Sequence, residues 1–140
     1  GAYLTMMLCF DKKYLASFGV DSSAITAYIH NSGQPTCHFN VLKERGIDIR
    51  RVIVDGSAPL YHIGNSDDYP HMLFIVSDND MPNRYEQTML TVSTLKHFGF
   101  ERKVKLKVIH GIHCQHDFSL DENSESIFGR IIFDFINEVE

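Results

Sequence analysis

Two stretches of this chain concentrate side chains that can move protons. Ser77-Asp78-Asn79-Asp80-Met81-Pro82 offers two carboxylates, and His110-Gly111-Ile112-His113-Cys114-Gln115-His116 offers three imidazoles and a thiol. A carboxylate beside an imidazole has a definite use. It fixes the ring's tautomer and stabilises the imidazolium that forms when the ring accepts a proton. Taken singly, an Asp after a strand is commonly a turn former, and a His in a loop is commonly solvated. Two other chemistries compete for the second stretch. His110, His113 and His116 recur every third residue, with Cys114 and Asp117 nearby, and these types bind zinc. Gly111 and the loop position, however, give no regular helix to align them. Cys114 beside His113 could also form a thiol–imidazole pair, although adjacent side chains usually point apart.

What brings the two stretches together is the order of elements around them. Met72–Val76 (MLFIV) is a continuous apolar run, as expected of a parallel strand covered on both faces. The pattern then predicts a helix over Asn83–Phe98, with Asn83 as cap, Glu86 completing a capping-box-like pair and Gly99 ending it. Tyr85, Met89, Val92 and Leu95 are expected on its buried face. Lys103–Ile109 (KVKLKVI) alternates, with Val104, Leu106 and Val108 expected toward the core and the lysines toward water, a pattern suited to an edge strand. In open parallel sheets, ligands bind outside the carboxyl ends of the strands. A crossover helix puts both loops on the same edge of the sheet. Carboxylates and imidazoles are thereby expected to meet through topology alone.

The remaining elements complete the same architecture. Ala2–Phe10 (AYLTMMLCF) reads as a buried helix, Ala24–Ile29 as a strand ending at the turn cluster Asn31-Ser32-Gly33, and Ser124–Val139 as a final helix. Ile127, Phe128, Ile131, Ile132, Phe135 and Ile136 give that last helix the wide apolar stripe of one packed on a sheet. Gln34 to Pro70 is mixed, with a short helical stretch around Phe39–Arg45 closed by Gly46, and reads as an excursion from the sheet. Alternation of helices and strands predicts an α/β fold with a mainly parallel sheet flanked by helices.

Composition narrows the function classes. The chain has 140 residues, 44% of them hydrophobic and 22% charged, ordinary values for one globular domain. Lys and Arg number 13 against 18 Asp and Glu, a formal charge of −5. That balance carries no basic footprint for nucleic acid. No apolar run approaches the ~20 residues of a membrane span. The three cysteines, Cys9, Cys37 and Cys114, are few and widely spaced, which favours reduced thiols over a disulfide framework.

At these residues the sequence resembles the α/β-hydrolase superfamily, most closely the bacterial esterase and lipase branch that includes acetyl- and feruloyl-type esterases. Gly1-Ala2-Tyr3-Leu4 looks like the end of a nucleophile elbow, G-x-S-x-G followed by a small residue and an aromatic. Asp55-Gly56-Ser57-Ala58-Pro59 resembles the segment that returns from the cap. Ser77 to Pro82 resembles the acid loop and Gly111-Ile112-His113 the base loop. The resemblance implies Asp80 as the acid, with Asp78 as the alternative, and His113 as the base. It implies a C-terminal half of one α/β-hydrolase domain, with Gln34–Pro70 a cap-like excursion that supplies specificity through His38, Phe39, Tyr61 and His62. The nucleophile would lie two residues upstream of Gly1, and the chain alone would be inactive. The implied activity is hydrolysis of a small-molecule carboxylic ester without metal or organic cofactor. Amidase, formamidase or peptidase chemistry, or a non-catalytic binding role, are the alternatives on the same fold. No nucleic-acid or membrane partner is expected. Association through the exposed sheet edge beside Ala24–Ile29 is.

Overall fold

The computed structural model describes residues 1–140. Eight regular elements follow in order: α1 (Ala2–Phe10), α2 (Lys13–Ala16), β1 (Ala27–Asn31), α3 (Phe39–Glu44), β2 (His71–Asn79), α4 (Arg84–His97), β3 (Val104–Ile112) and α5 (Ile127–Val139). The strands form one parallel sheet in the order β1-β2-β3, so β2 is central and the other two are edges. The fold is therefore mixed α/β with a three-stranded parallel sheet flanked by helices.

The apolar run in β2 forms the centre because both of its faces are covered. On one face Met72 and Phe74 pack with Met6, Cys9 and Phe10 of α1 and with Val92 and Leu95 of α4. On the other, Leu73 and Ile75 meet Phe135 of α5, with Phe128 and Ile131 beside it. Gln34–Pro70 carries α3 and a 3-10 turn at Pro59–His62, and closes a small cluster of its own around Cys37, Leu42 and Ala58. No helix is long and apolar enough to cross a membrane.

Several sequence expectations shift, each for a local reason. The first strand starts at Ala27, not Ala24, because the Asp21 carboxylate accepts from the Ser23 amide at 2.9 Å and draws Ser22–Ala24 into a 3-10 turn. The final helix starts at Ile127, not Ser124. Asp121 accepts from the Asn123 and Glu125 amides, and the Ser126 hydroxyl caps the helix by accepting from the Gly129 amide at 3.0 Å. Asn83 precedes α4 in a left-handed conformation, φ 65°, and its side chain makes no capping bond. The buried face of α4 is also rotated from the expected one. It carries Arg84, Gln87, Thr88 and Thr91 along with Val92 and Leu95, while Tyr85 and Met89 are only half-buried. Helix α4 packs beside the polar end of the sheet as well as over its core. Thr88 and Thr91 lose no hydrogen bond there, since their hydroxyls donate to the carbonyls of Arg84 and Gln87 one turn earlier. In β3, Val104 and Leu106 join the core but Val108 is exposed, as cover for this edge strand fails toward its carboxyl end.

Candidate active site

Strands β2 and β3 are both longer than their apolar runs, and this decides how the acidic and imidazole side chains meet. Asp78 belongs to β2 and His110 to β3, so neither is a loop residue. Pairing is regular from Met72 opposite Val104 to Ser77 opposite Ile109, then shifts so that Asn79 faces Ile112. β3 spends one residue more than β2 across this step, a bulge. Gly111 sits at the bulge with φ 140°, a conformation that L side chains rarely adopt. A Cβ there would also come within 2.6 Å of the Gln115 carboxamide oxygen, which accepts from the Ile112 amide. The bulge matches carboxylates two residues apart to imidazoles three residues apart.

Two acid–imidazole pairs result. The Asp78 carboxylate lies 2.8 Å from His110 Nδ1 and also accepts from the Gly111 amide at 3.0 Å. The Asp80 carboxylate lies 2.6 Å from His113 Nδ1. The pairs differ in exposure. Asp78 and His110 are open to solvent, with the His110 side chain 97% exposed. The Asp80 side chain is 0% exposed while that of His113 is 37% exposed. Asp80 is further held by the Met81 amide at 2.7 Å and the Ser77 amide at 3.3 Å. A buried, tethered carboxylate behind a ring that reaches solvent is the arrangement that can fix a tautomer and still leave Nε2 for a reacting group. The outer pair behaves as a surface ion pair. The Gly111 amide and His110 hold the Asp78 carboxyl below its ordinary value, and Asp78 raises His110 above the usual imidazole range.

The other histidine of this stretch is structural in its contacts. His116 is buried, and its Nε2 lies 2.6 Å from the Asn31 carboxamide oxygen and 3.2 Å from Asp117. The Asn31 amide donates to Asp117 at 2.8 Å, closing a triangle that ties the end of β1 to the segment after His113. The His116 ring also meets Phe128 of α5 edge-on. Ser77 adds a second tie by donating to the Ile112 carbonyl at 2.9 Å. The three imidazoles thus point to three different sets of partners, and no group of three or more His, Cys, Asp or Glu side chains is arranged to hold a metal ion.

Cys114 lies closer to the base than adjacency suggested. Its Sγ is 3.4 Å from His113 Nε2, because the left-handed backbone at Cys114, φ 55°, folds the side chain back. Burial raises this thiol, so it is held in the neutral form rather than poised as a thiolate. On the Gln34–Pro70 segment, Phe39 lines a cavity beside the acid loop. His62 is buried with a ring nitrogen 2.8 Å from the Gly56 carbonyl oxygen, His38 packs on Tyr3 and Phe39, and Tyr61 points largely to solvent.

None of the family models, curated proteins or solved structures compared matches this chain. Two groups near the site escaped sequence reasoning. Asn31 reads as part of a turn cluster, and nothing local marks it as a partner for residues more than eighty positions away. Arg84 follows the expected cap Asn83 and is singled out by nothing in the apolar pattern, yet it is buried and donates to the Ser32 carbonyl at 2.5 Å. Its one signal is position, directly after the acid loop.

Proposed function

We propose that this chain carries the acid and the base of a serine hydrolase of the α/β-hydrolase superfamily that cleaves carboxylic esters. The observation that carries the reading is the buried Asp80 carboxylate 2.6 Å from Nδ1 of the partly exposed His113. The Asp80 carboxylate accepts a hydrogen bond from Nδ1–H and stays ionised, so Nε2 is the basic nitrogen. A serine, which the resemblance puts two residues before Gly1, attacks the ester carbonyl and passes its proton to Nε2. The imidazolium, stabilised by Asp80, returns that proton to the departing alcohol. Water then repeats the sequence on the acyl-enzyme, and the serine is regenerated.

Local packing supports a nucleophile at that point of the chain. Gly33, just past β1, is pressed against the start of α1, where a Cβ would lie 2.7 Å from that of Ala2. Two residues earlier, at the end of β1, the Asn31 amide donates to Asp117 at 2.8 Å and its carboxamide oxygen lies 2.6 Å from His116 Nε2. The beginning of α1 and the segment around His113 therefore share one corner of the fold.

A second reading has its own observation, the 3.4 Å approach of Cys114 Sγ to His113 Nε2. In it the thiol is the nucleophile and no upstream serine is needed. One experiment separates the two. The complete protein is treated with an aryl phosphonate that modifies active-site nucleophiles, and the modified residue is mapped by mass spectrometry. Modification of a serine upstream of Gly1, together with hydrolysis of a short-chain aryl ester that is lost in His113→Ala, is the expected result. Turnover by residues 1–140 alone that disappears in Cys114→Ala would transfer the role to the thiol. Absence of both modification and turnover would reject the hydrolase reading.

A further inference from the structure

A cavity of about 310 Å³ opens beside the acid loop, at the low end of the size range of small-molecule sites. Its lining includes Met81 and Pro82, which follow Asp80 directly, and Arg84 and Gln87 from the first turn of α4. Phe39 and the segment around Arg50 and Arg51 also line it. Three arginines line this space, and no acidic residue does.

The three cations are not equally engaged. Arg50 is held by Asp48 through three contacts of 2.6 to 3.1 Å. Arg51 and Arg84 have no carboxylate within ion-pair distance, since the arginines so paired are Arg45, Arg50 and Arg130. Arg84 is 7% exposed, and burying an unpaired charge is expensive. Its guanidinium has five donors. One is used on the Ser32 carbonyl at 2.5 Å and another rests on the Met81 sulfur at 3.7 Å, a weak acceptor. The negative charge nearest in effect is Asp80, which His113 already engages. The Gln87 carboxamide oxygen accepts from Thr36, and its NH2 group makes no hydrogen bond within the chain. Apolar Phe39 and Pro82 share the lining with these donors.

We propose that this cavity is an anion subsite, formed by Arg84, Arg51 and the Gln87 amide, that selects esters bearing a carboxylate on the acyl or the alcohol half. The inference rests on the ester-hydrolase reading for the reaction, but the anion site itself does not depend on it. A carboxylate seated here supplies the anionic partner that the Arg84 guanidinium lacks, and a planar guanidinium suits it bidentately. Met81 and Pro82 of the lining follow Asp80 directly, so a carboxylate bound here anchors a substrate next to the acid loop, and binding energy from such a remote group can serve the reacting centre.

The test uses the complete protein and two matched ester pairs. An aryl hemisuccinate is compared with the aryl butyrate, which puts the charge on the acyl half. O-acetylglycolate is compared with 2-methoxyethyl acetate, which puts it on the alcohol half. Succinate binding is measured separately by calorimetry, with succinamide as the uncharged control. The acidic member of at least one pair should be preferred in kcat/KM. That preference should fall about tenfold in Arg51→Gln, the scale of one lost charge-assisted contact. Lys103→Gln, at the opposite end of β3, should leave the preference intact. Succinate, but not succinamide, should bind, and Arg51→Gln should weaken it by a similar factor. Arg51 is exposed, so its variant avoids the folding risk of replacing Arg84. Ester hydrolysis with no acidic preference and no saturable succinate binding would overturn the subsite while leaving the hydrolase intact. Succinate binding that is lost in Arg51→Gln, in a protein that hydrolyses no ester, would uphold the subsite and reject the hydrolase.

Discussion

At the scale of single residues, burial separates two carboxylates that the sequence presents almost alike. Asp80 is enclosed and held by two backbone amides, whereas Asp78 stands in solvent with His110. In the complete protein, Asp80→Asn should lower ester turnover by about 10⁴, the scale seen when a triad acid is lost. Asp78→Asn should have little effect, because it removes a solvent-exposed pair. Inactive Asp78→Asn with near-normal Asp80→Asn would reverse their roles. A second residue-scale consequence lies in the core. His30 is buried among Phe10, Tyr28 and Phe74, with Nδ1 2.9 Å from the Thr5 hydroxyl and Nε2 unpartnered. Burial pushes its pKa down to about 3 from an ordinary 6.5. The folded ring stays neutral while the unfolded one takes up a proton below pH 6.5, so its contribution is fully present above that pH. It is lost as pH falls toward 3, with a limiting slope of about 1.4 kcal/mol per pH unit. Denaturant unfolding measured from pH 7 to 5 should show this loss, and His30→Gln should flatten it. An equal slope in the variant would place the proton elsewhere.

At the scale of elements, the bulge between β2 and β3 sets the pairing of acids with imidazoles. Gly111→Ala would force a side chain into φ 140° and against Gln115, a strain of about 1–3 kcal/mol. The unfolding midpoint should drop accordingly, and ester turnover by the complete protein should fall further than the stability loss explains, because His113 shifts relative to Asp80. An unchanged midpoint would mean the bulge relaxes freely. Much of the element pattern was legible in advance. α1 ends where its apolar run ends, β2 grows from MLFIV, and the crossover through α4 brings the acidic and imidazole stretches to one sheet edge. What periodicity could not show is where polar side chains take over from it. The Asp21 turn shortens β1 and the Asp121 loop delays α5, both through side-chain oxygens binding amides two to four residues on. Arg84, Gln87 and Thr91 are buried on a face of α4 that a hydrophobic count passes over. The bulge itself has no signature beyond a glycine, and without it the matching of Asp80 to His113 could be expected only from the family likeness.

At the scale of the whole molecule, the sheet ends in two strands that each pair on one side only. The lysines of β3 protect one edge, since Lys105 and Lys107 are exposed along it. β1, with Tyr28, Ile29 and His30, carries no such charge. Residues 1–140 expressed alone should therefore associate, and light scattering after size exclusion should report a mass above the monomer's 16.0 kDa at micromolar concentration. A monomer with sharp, dispersed amide resonances would show that the β1 edge is adequately covered. The all-parallel order has a further consequence in time. No two strands of this sheet are joined by a hairpin: Ala27 finds His71 only after Gln34–Pro70 has been looped out, and Met72 finds Val104 only across α4. Every ladder thus waits on a long closure, and proteins dominated by such contacts fold slowly. During that wait Met72–Val76, the least polar stretch of the chain's second half, stands without neighbours on either side. The strand that later anchors both faces is, while the protein is being made, the segment most in need of a chaperone.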